Sequence, residues 1–377
     1  MTHRRGNGEG SIYQRRDGTW CVSLRLPGGG RKVVYGRSHN EVRRRLIEVV
    51  HSKDTGTLTD ARGLTVGTFL DQWLKEVVRP SVRPWTYKGY EVHARLHIKP
   101  ALGSLSLEAL TPFHVQSLLN QKLAQGLSPK TVRYIRGTLR TALKQATRWG
   151  LISRNPADAV DGPKVERFEI RPFTPDEARL FLASIRGDRL EALYSVALTV
   201  GLRQGEALGL RWEDIDLDLG YIRVNKQLQR IEGKFHLVEP KTPRSRRALA
   251  LPASIAAGLH HHRLRQATER ETARSRWETS DLVFTTEMGR PLDGTVVSHD
   301  FHRKLTKAGL TQRRFHDLRH SCATLLLVQG VSPRVVMDVL GHSQIALTMN
   351  TYSHVLPELR RQAADRMEEL LGVDNER

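Results

Sequence analysis

Residues 128–148 limit the fold of this chain more than any other stretch. Ser128 before Pro129 makes a helix start, because the serine can accept from an unpaired N–H and proline at the first helical position gives up no hydrogen bond. Val132, Ile135, Leu139, Leu143 and Ala146 then recur at spacings of three or four, which places them on one helix face. Rotated by one residue, about 100° of helix, lie Arg133, Arg136, Arg140, Lys144 and Arg148. A solvated face usually mixes signs to gain i,i+4 pairs, and this stripe has no acid of its own. Phosphate contact is therefore the preferred reading of the five cations.

The helical pattern extends from Leu64 to about Val160, and the chain before it reads as β followed by α. Asp17-Gly18 between apolar runs is a strong hairpin signal, and "PGGG" marks a second turn, so a small three-stranded sheet is expected. Alternation puts Trp20, Val22, Leu24 and Leu26 on one face and leaves Cys21, Ser23 and Arg25 to meet solvent or a DNA groove. A helix from about Asn40 to His51 and the linker "KDTGTLTDARG" complete this part.

After the connector "AVDGPKVERFEIRP", the stretch "TPDE" reads as a capping box, with Thr174 as cap, Pro175 at the first helical position and Glu177 reaching back. Beyond it helices alternate with short strands. "YIRV", "FHLVE" and "RALAL" are expected to form one small antiparallel sheet, and helices return after Pro252. The fold class is therefore α+β and mainly α, in three parts spanning 1–60, 64–160 and 171–377.

Charge is the first pointer to function. The chain has 60 Lys+Arg against 40 Asp+Glu, a formal +20. Residues 1–60 carry 12 basic and 6 acidic side chains, 61–170 carry 17 and 8, and 171–377 carry 31 and 26. Two strongly basic front parts and a nearly balanced rear part look like DNA-gripping modules attached to something with another task. Cys21 and Cys322 lie far apart, which excludes a disulfide framework or a cysteine-based zinc site. No apolar run approaches the roughly 20 residues of a membrane span, and "MTHRRGNGEG" has no signal-like stretch, so a cytoplasmic protein with no membrane partner is expected.

Four stretches of the rear part concentrate cations and imidazoles. In "GLRQGEALGL", Arg203 follows an apolar helix, and Glu206, three residues on, can orient it toward a phosphate. In "EPKTPRSRR", Lys241 sits at the end of an expected strand, with Lys226 and Lys234 as nearby competitors. In "HDLRHSCATLLLVQG", His316 and Arg319 share a helix face. The fourth is "LGHSQIALTMNTYSHV", with Tyr352 ten residues after His342 and two before His354. His316 and His320 have zinc-like spacing, but Asp317 replaces the glutamate of HExxH, and "HHH" at 260–262 reads as part of a solvated helix. Asp214, Asp216 and Asp218 read as a polar turn rather than a magnesium cluster. With no GxxxxGK[ST] loop either, neither a metal nor another cofactor is expected.

In this order and separation, "GLRQGE", a lysine on a β-turn, "HDLRH", "LGHS" and a downstream tyrosine resemble the tyrosine recombinases, or phage-type integrases. The resemblance implies an arm-type DNA-binding domain over 1–60, a helical core-binding domain over 64–160 and a catalytic domain over 171–377. It also implies that Arg203, Lys241, His316, Arg319 and His342 form the activating set and that Tyr352 is the nucleophile. A 3′-phosphotyrosyl intermediate, a homotetramer on two paired attachment sites and an accessory DNA-bending or excision factor belong to the same expectation. The alternatives are a chromosome-dimer or transposon recombinase, a type IB topoisomerase and a non-catalytic DNA-binding regulator.

Chemistry supports the assignment independently. A phosphodiester repels an anionic nucleophile, so catalysis must rest on positioning and electrostatics. Arg203 and Arg319 suit bidentate grips on the non-bridging oxygens, and His342 can donate a third hydrogen bond. Tyrosine, with a pKa near 10, is only about one part in a thousand ionised at neutral pH, a deficit of roughly 4 kcal/mol that nearby cations narrow. His316 suits a general base or phosphate ligand, and Lys241 the acid that protonates the departing 5′-hydroxyl.

Overall fold

The computed structural model describes residues 11–25, 31–43, 63–166, 170–240, 245–341 and 356–371. The chain divides into two compact units at 167/168. None of the described helices is long and apolar enough to cross a membrane.

The first unit begins with strands β1 (Ser11–Gln14), β2 (Trp20–Arg25) and β3 (Arg31–Gly36), antiparallel with β2 in the centre. Asp17-Gly18 makes the first turn as expected: Gly18 takes φ 82°, and the Asp17 carboxylate accepts from Thr19 N at 2.9 Å. The "PGGG" turn lies outside the described residues, and the expected helix is described only at 39–43. Cys21 departs from the expected alternation and is fully buried. Tyr13 and Tyr35 stand opposite it on the flanking strands, and its thiol donates to Tyr13 O at 3.5 Å. A small side chain between two aromatic cross-strand neighbours is covered by them, whichever face it takes. Arg25 ends β2, with its side chain outside the described set.

Four helical runs follow: α1 (66–81), α2 (84–102), α3 (Pro112–Ala124) and α4 (Pro129–Arg148). α1 and α2 each widen for one turn, where Arg79 N donates to Leu74 O and Lys99 N to Ala94 O. Both turns end just before a proline, Pro80 or Pro100, whose ring would crowd a regular helix and whose nitrogen cannot donate. In α4 the expected start holds, with Ser128 Oγ accepting from Thr131 N at 3.2 Å, and all five residues of the apolar stripe are buried in the core of this unit.

The cationic stripe has partners that its own helix does not reveal. Arg136 donates to Ala157 O (3.2 Å) and to Val160 O, and Arg140 pairs with Asp158 at 2.5 Å. Arg133, Lys144 and Arg148 are exposed.

The second unit starts with α5 (Pro175–Ser184), where the expected capping box closes at 3.2 Å from Glu177 N to Thr174 Oγ1 and 3.0 Å from Thr174 N to Glu177 Oε2. Then come α6 (Glu191–Val200), α7 (Gln204–Leu208), β4 (Ile215–Asp216), β5 (Tyr221–Val224), β6 (Gln227–Ile231), β7 (Lys234–Val238) and β8 (Arg247–Ala250). The remaining helices are α8 (Ala253–Ala273), α9 (Gly294–Lys307), α10 (His316–Val328), α11 (Pro333–Leu340) and α12 (Leu356–Leu371). Phe173, Phe181, Tyr194, Phe301 and Phe315 knit α5, α6, α9 and the start of α10 into one core.

The expected single sheet is two. "YIRV" (β5) pairs with "RALA" (β8) and with β4, whereas among the described residues "FHLV" (β7) pairs with β6 alone. Glu232 and Gly233, at φ 50° and 81°, join β6 to β7 by a tight turn, so β7 takes its partner from the adjacent strand. β6 in turn lies against α7, where a Cβ on Gly209 would sit 2.5 Å from Leu228 N. Gly209→Ala is expected to cost on the order of 3 kcal/mol in urea unfolding; an unchanged midpoint would show that α7 can move away from β6 without penalty.

Candidate active site

The site is assembled where α6 ends. Gly201 takes the left-handed φ of 71° that ends the helix, and its small size is needed, since a Cβ there would lie 3.0 Å from Leu340 Cδ2 and 3.1 Å from Cys322 Sγ. The chain turns through Leu202, and Arg203 enters α7 in extended geometry as its cap residue. Glu206, one turn on, holds Arg203 at both ends: it accepts Nη1 at 2.6 Å and the backbone N–H at 3.1 Å.

The pair is not a surface ion pair. The Glu206 side chain is 2% exposed, whereas that of Arg203 is 34% exposed, so the carboxylate is a buried anchor and the guanidinium opens outward. Burial by itself would raise the Glu206 carboxyl, but Arg247, Arg203 and Arg319 around it hold it below its ordinary value. Glu206 is therefore ionised and the Arg203 fork is pre-set.

α10 supplies the next two residues. His316 opens the helix at the surface, and Arg319 lies one turn on, with 2% exposure for the whole residue. The Arg319 guanidinium donates to Gly201 O at 2.7 Å and to Leu340 O. One buried side chain thus ties the stretches "GLR", "HDLRH" and "LG" together. The His316 ring reaches solvent yet rests on densely packed protein; that packing, followed by the positive charge of Arg319, lowers its pKa, so the imidazole is neutral at neutral pH. Asp317, buried beside it, accepts from Arg314 at 2.7 Å and from the Arg314 N–H at 2.8 Å, which turns its carboxylate away from metal ligation. Arg313 fastens the start of α10 to Glu177 of α5 at 2.7 Å.

The structure therefore brings Arg203, Glu206, His316 and Arg319 to one place. Lys241, His342, Tyr352 and His354 lie outside the described residues. Reading the sequence missed Arg247, whose side chain is 7% exposed and donates to Glu206 Oε2 at 2.9 Å, to Val339 O at 2.7 Å and to Ser245 O at 3.0 Å. A signal for it existed: Arg247 alternates with the buried Leu249 on the same face of β8, and an arginine on a buried face implies an acid opposite.

Two other expectations change. His262 is buried, not solvated like its neighbours His260 and His261; its Nε2 bonds Val283 O at 2.8 Å, and its ring stacks beside Trp212 and Phe284. Asp214 is likewise buried and clamps Arg211 (2.9 Å) and Asn225 (2.7 Å), while Asp216 accepts from Leu219 N at 2.8 Å as in a polar turn. Among the described residues no three His, Cys, Asp or Glu side chains converge as metal ligands.

His320 gives a pH prediction. Burial, and then the His316 ring whose centroid lies 4.9 Å away, push its pKa down to about 4. In the unfolded chain the same ring titrates near 6.5, so below that value the unfolded state binds more protons and stability falls as pH drops from about 6.5 to about 4. His320 is partly open to solvent, which screens the effect to roughly 1 to 2 kcal/mol. His320→Asn is expected to lose this part of the difference between urea unfolding at about pH 7.5 and about pH 5. The same pH dependence in both proteins would exclude a ring held neutral by the fold.

Comparison with known proteins gives a consistent picture. The model of the phage integrase family matches residues 172–358, and that of the phage integrase N-terminal SAM-like domain matches 65–123. A protein named tyrosine recombinase XerC-like, from Caldanaerobacter subterraneus subsp. tengcongensis, is 33% identical over 359 residues, spanning 90% of this chain and 92% of that protein. The fold is that of the Tn1549 transposon integrase in complex with circular intermediate DNA (TM-score 0.67, 23% identity, 80% of this chain and 99% of that one). It also matches λ integrase, solved as a tetramer on a Holliday junction (TM-score 0.55, 22% identity, 88% and 95%).

Proposed function

Because the chain belongs to the phage integrase family of tyrosine recombinases, enzymes that cut and rejoin DNA at specific sites, we propose that Arg203, His316 and Arg319 hold the scissile phosphate for attack by Tyr352. His316 takes the phenolic proton as the Tyr352 oxygen bonds to phosphorus and the bond to the 5′ oxygen breaks. A 3′-phosphotyrosyl ester forms, and the 5′-hydroxyl leaves with a proton supplied by Lys241. A second DNA end reverses these steps and restores the backbone. The ester conserves the phosphodiester energy, so no external energy source enters.

The observation that carries this reading is the outward-facing Arg203 braced by the buried, ionised Glu206 beside Arg319 and a neutral His316. Fixed positive donors with no cost of reorganisation are what a phosphoryl transition state needs. A nicked duplex carrying the attachment-site core tests it, since loss of the short strand beyond the cut traps the covalent intermediate. Wild type is expected to accumulate a denaturant-stable adduct on the 3′ phosphate. DNA binding without an adduct would instead favour a regulator.

The parts over 1–60, 64–160 and 171–377 act in this proposal as arm-binding, core-binding and catalytic domains. In the core-binding part, Arg133, Lys144 and Arg148 are the stripe residues whose exposure suits phosphate binding. Replacing these three with alanine is expected to flatten the slope of log affinity against log salt by about 0.9 for each phosphate no longer neutralised. Arg136→Ala should instead lower stability, because it frees the carbonyls of Ala157 and Val160. An unchanged slope in the triple variant would mean that the stripe faces water.

The working form proposed is a tetramer on two paired sites, with room for an accessory DNA-bending or excision factor. Its support in this chain is α12, whose Met367, Leu370 and Leu371 are all exposed, Leu370 to 77%. Apolar side chains left uncovered at the end of a helix fit a groove on a neighbouring copy.

A further inference from the structure

Arg247 closes the stretch "EPKTPRSRR" that carries Lys241, and its three hydrogen bonds reach Glu206 of α7, the end of α11 and its own stretch. Nη2 holds Glu206, which orients Arg203; Nε holds Val339 O, three residues before His342; Nη1 holds Ser245 O, four residues after Lys241. All three of its side-chain nitrogens are committed to these acceptors, so it acts through these groups and not by touching DNA.

Charge adds a second argument. Glu206 carries one negative charge, and with Arg203 as its only partner the pair would present no net charge to an incoming phosphate. Arg247 supplies the second cation, so the Arg203–Glu206–Arg247 trio keeps one net positive charge while Glu206 stays buried and ionised. Resting on the proposed strand-cleavage reading, we infer that Arg247 is a positioning residue that lets Glu206 brace Arg203 without cancelling its charge. Removing Arg247 leaves the buried Glu206 carboxylate with one fewer of the arginines that surround it, behind the guanidinium of Arg203.

Electrostatics separates this role from a merely structural one. A duplex whose scissile phosphate carries a methyl group in place of one non-bridging oxygen has no charge there, and a missing cation matters less. Arg247→Met is expected to cleave an ordinary nicked duplex on the order of 100-fold more slowly than wild type, but the neutral duplex less than about tenfold more slowly. The ratio of the two rates within one preparation is independent of the fraction of protein that folds. If Arg247→Met does not fold, Arg247→Gln, which keeps an N–H for Glu206, serves for the same ratio. The double variant Glu206→Gln/Arg247→Met removes the uncompensated charge and is expected to cleave the ordinary duplex faster than Arg247→Met alone.

A wild-type ratio in Arg247→Met or Arg247→Gln, or a double variant slower than the single one, would overturn the inference. Absence of an adduct in wild type would instead overturn the reading beneath it.

Discussion

Tyr352→Phe is expected to bind the attachment site as tightly as wild type and to leave no protein on the broken strand, with cleavage falling on the order of a millionfold, below detection. The change deletes one oxygen, which in this account becomes the ester oxygen of the intermediate. Neither described tyrosine of the second unit offers an obvious substitute. Tyr194, in the second unit, is fully buried, and its hydroxyl donates to Asp300 at 2.7 Å; burial and that carboxylate raise its pKa, making it a poorer nucleophile than a free phenol. Tyr221, on β5, is exposed but is not among the residues gathered around Glu206. A Tyr352→Phe protein that still forms adduct at the wild-type rate would place the nucleophile elsewhere.

The second large effect separates the two arginines. Both Arg203→Ala and Arg319→Ala should slow cleavage on the order of 100- to 1,000-fold if, as proposed, each supplies a fixed donor to the phosphate. Their effects on stability should differ. Arg203 is one-third exposed, and its loss leaves Glu206 still paired with Arg247, so a cost of about 1 kcal/mol is expected. Arg319 is enclosed and satisfies Gly201 O and Leu340 O, so its loss strands two buried carbonyls and should cost about 2 to 4 kcal/mol in urea unfolding. Equal stability of the two variants would mean that Arg319 does not tie α6, α10 and α11 together.

Local chemistry explains what could be read from the sequence. The start of α4 at Ser128-Pro129, its buried stripe, the "TPDE" capping box and the Asp17-Gly18 turn each depend on residues within a few positions of one another. The structure follows them closely. What escaped depends on partners far along the chain. Arg140 finds its acid 18 residues away at Asp158, Cys21 is covered by side chains on two other strands, and His262 is buried by Trp212 and Phe284. β5 reaches past the β6–β7 hairpin to β8, which a reading of local alternation could not separate from one continuous sheet.

The same division runs through the site. Arg203, Glu206, His316 and Arg319 stand out because each shares a short stretch with a second telling residue. Arg247 shares its stretch with Lys241 but does not stand out among the four arginines and lysines there, since its acid lies 41 residues earlier and its other acceptors are backbone carbonyls, which carry no signature in side-chain sequence. Glu206 was legible as an orienting residue for Arg203, but its second arginine and its burial were not.

The central claim is that a tyrosine oxygen is temporarily esterified to the broken strand. Digesting the adduct trapped on a nicked attachment-site duplex and locating the modified peptide by mass spectrometry tests it most directly. The account predicts that the peptide containing Tyr352 carries the 3′ nucleotide and that no adduct survives in Tyr352→Phe. A nucleotide found instead on Tyr221, on a serine or on no peptide at all, while strands are still cut, would contradict it.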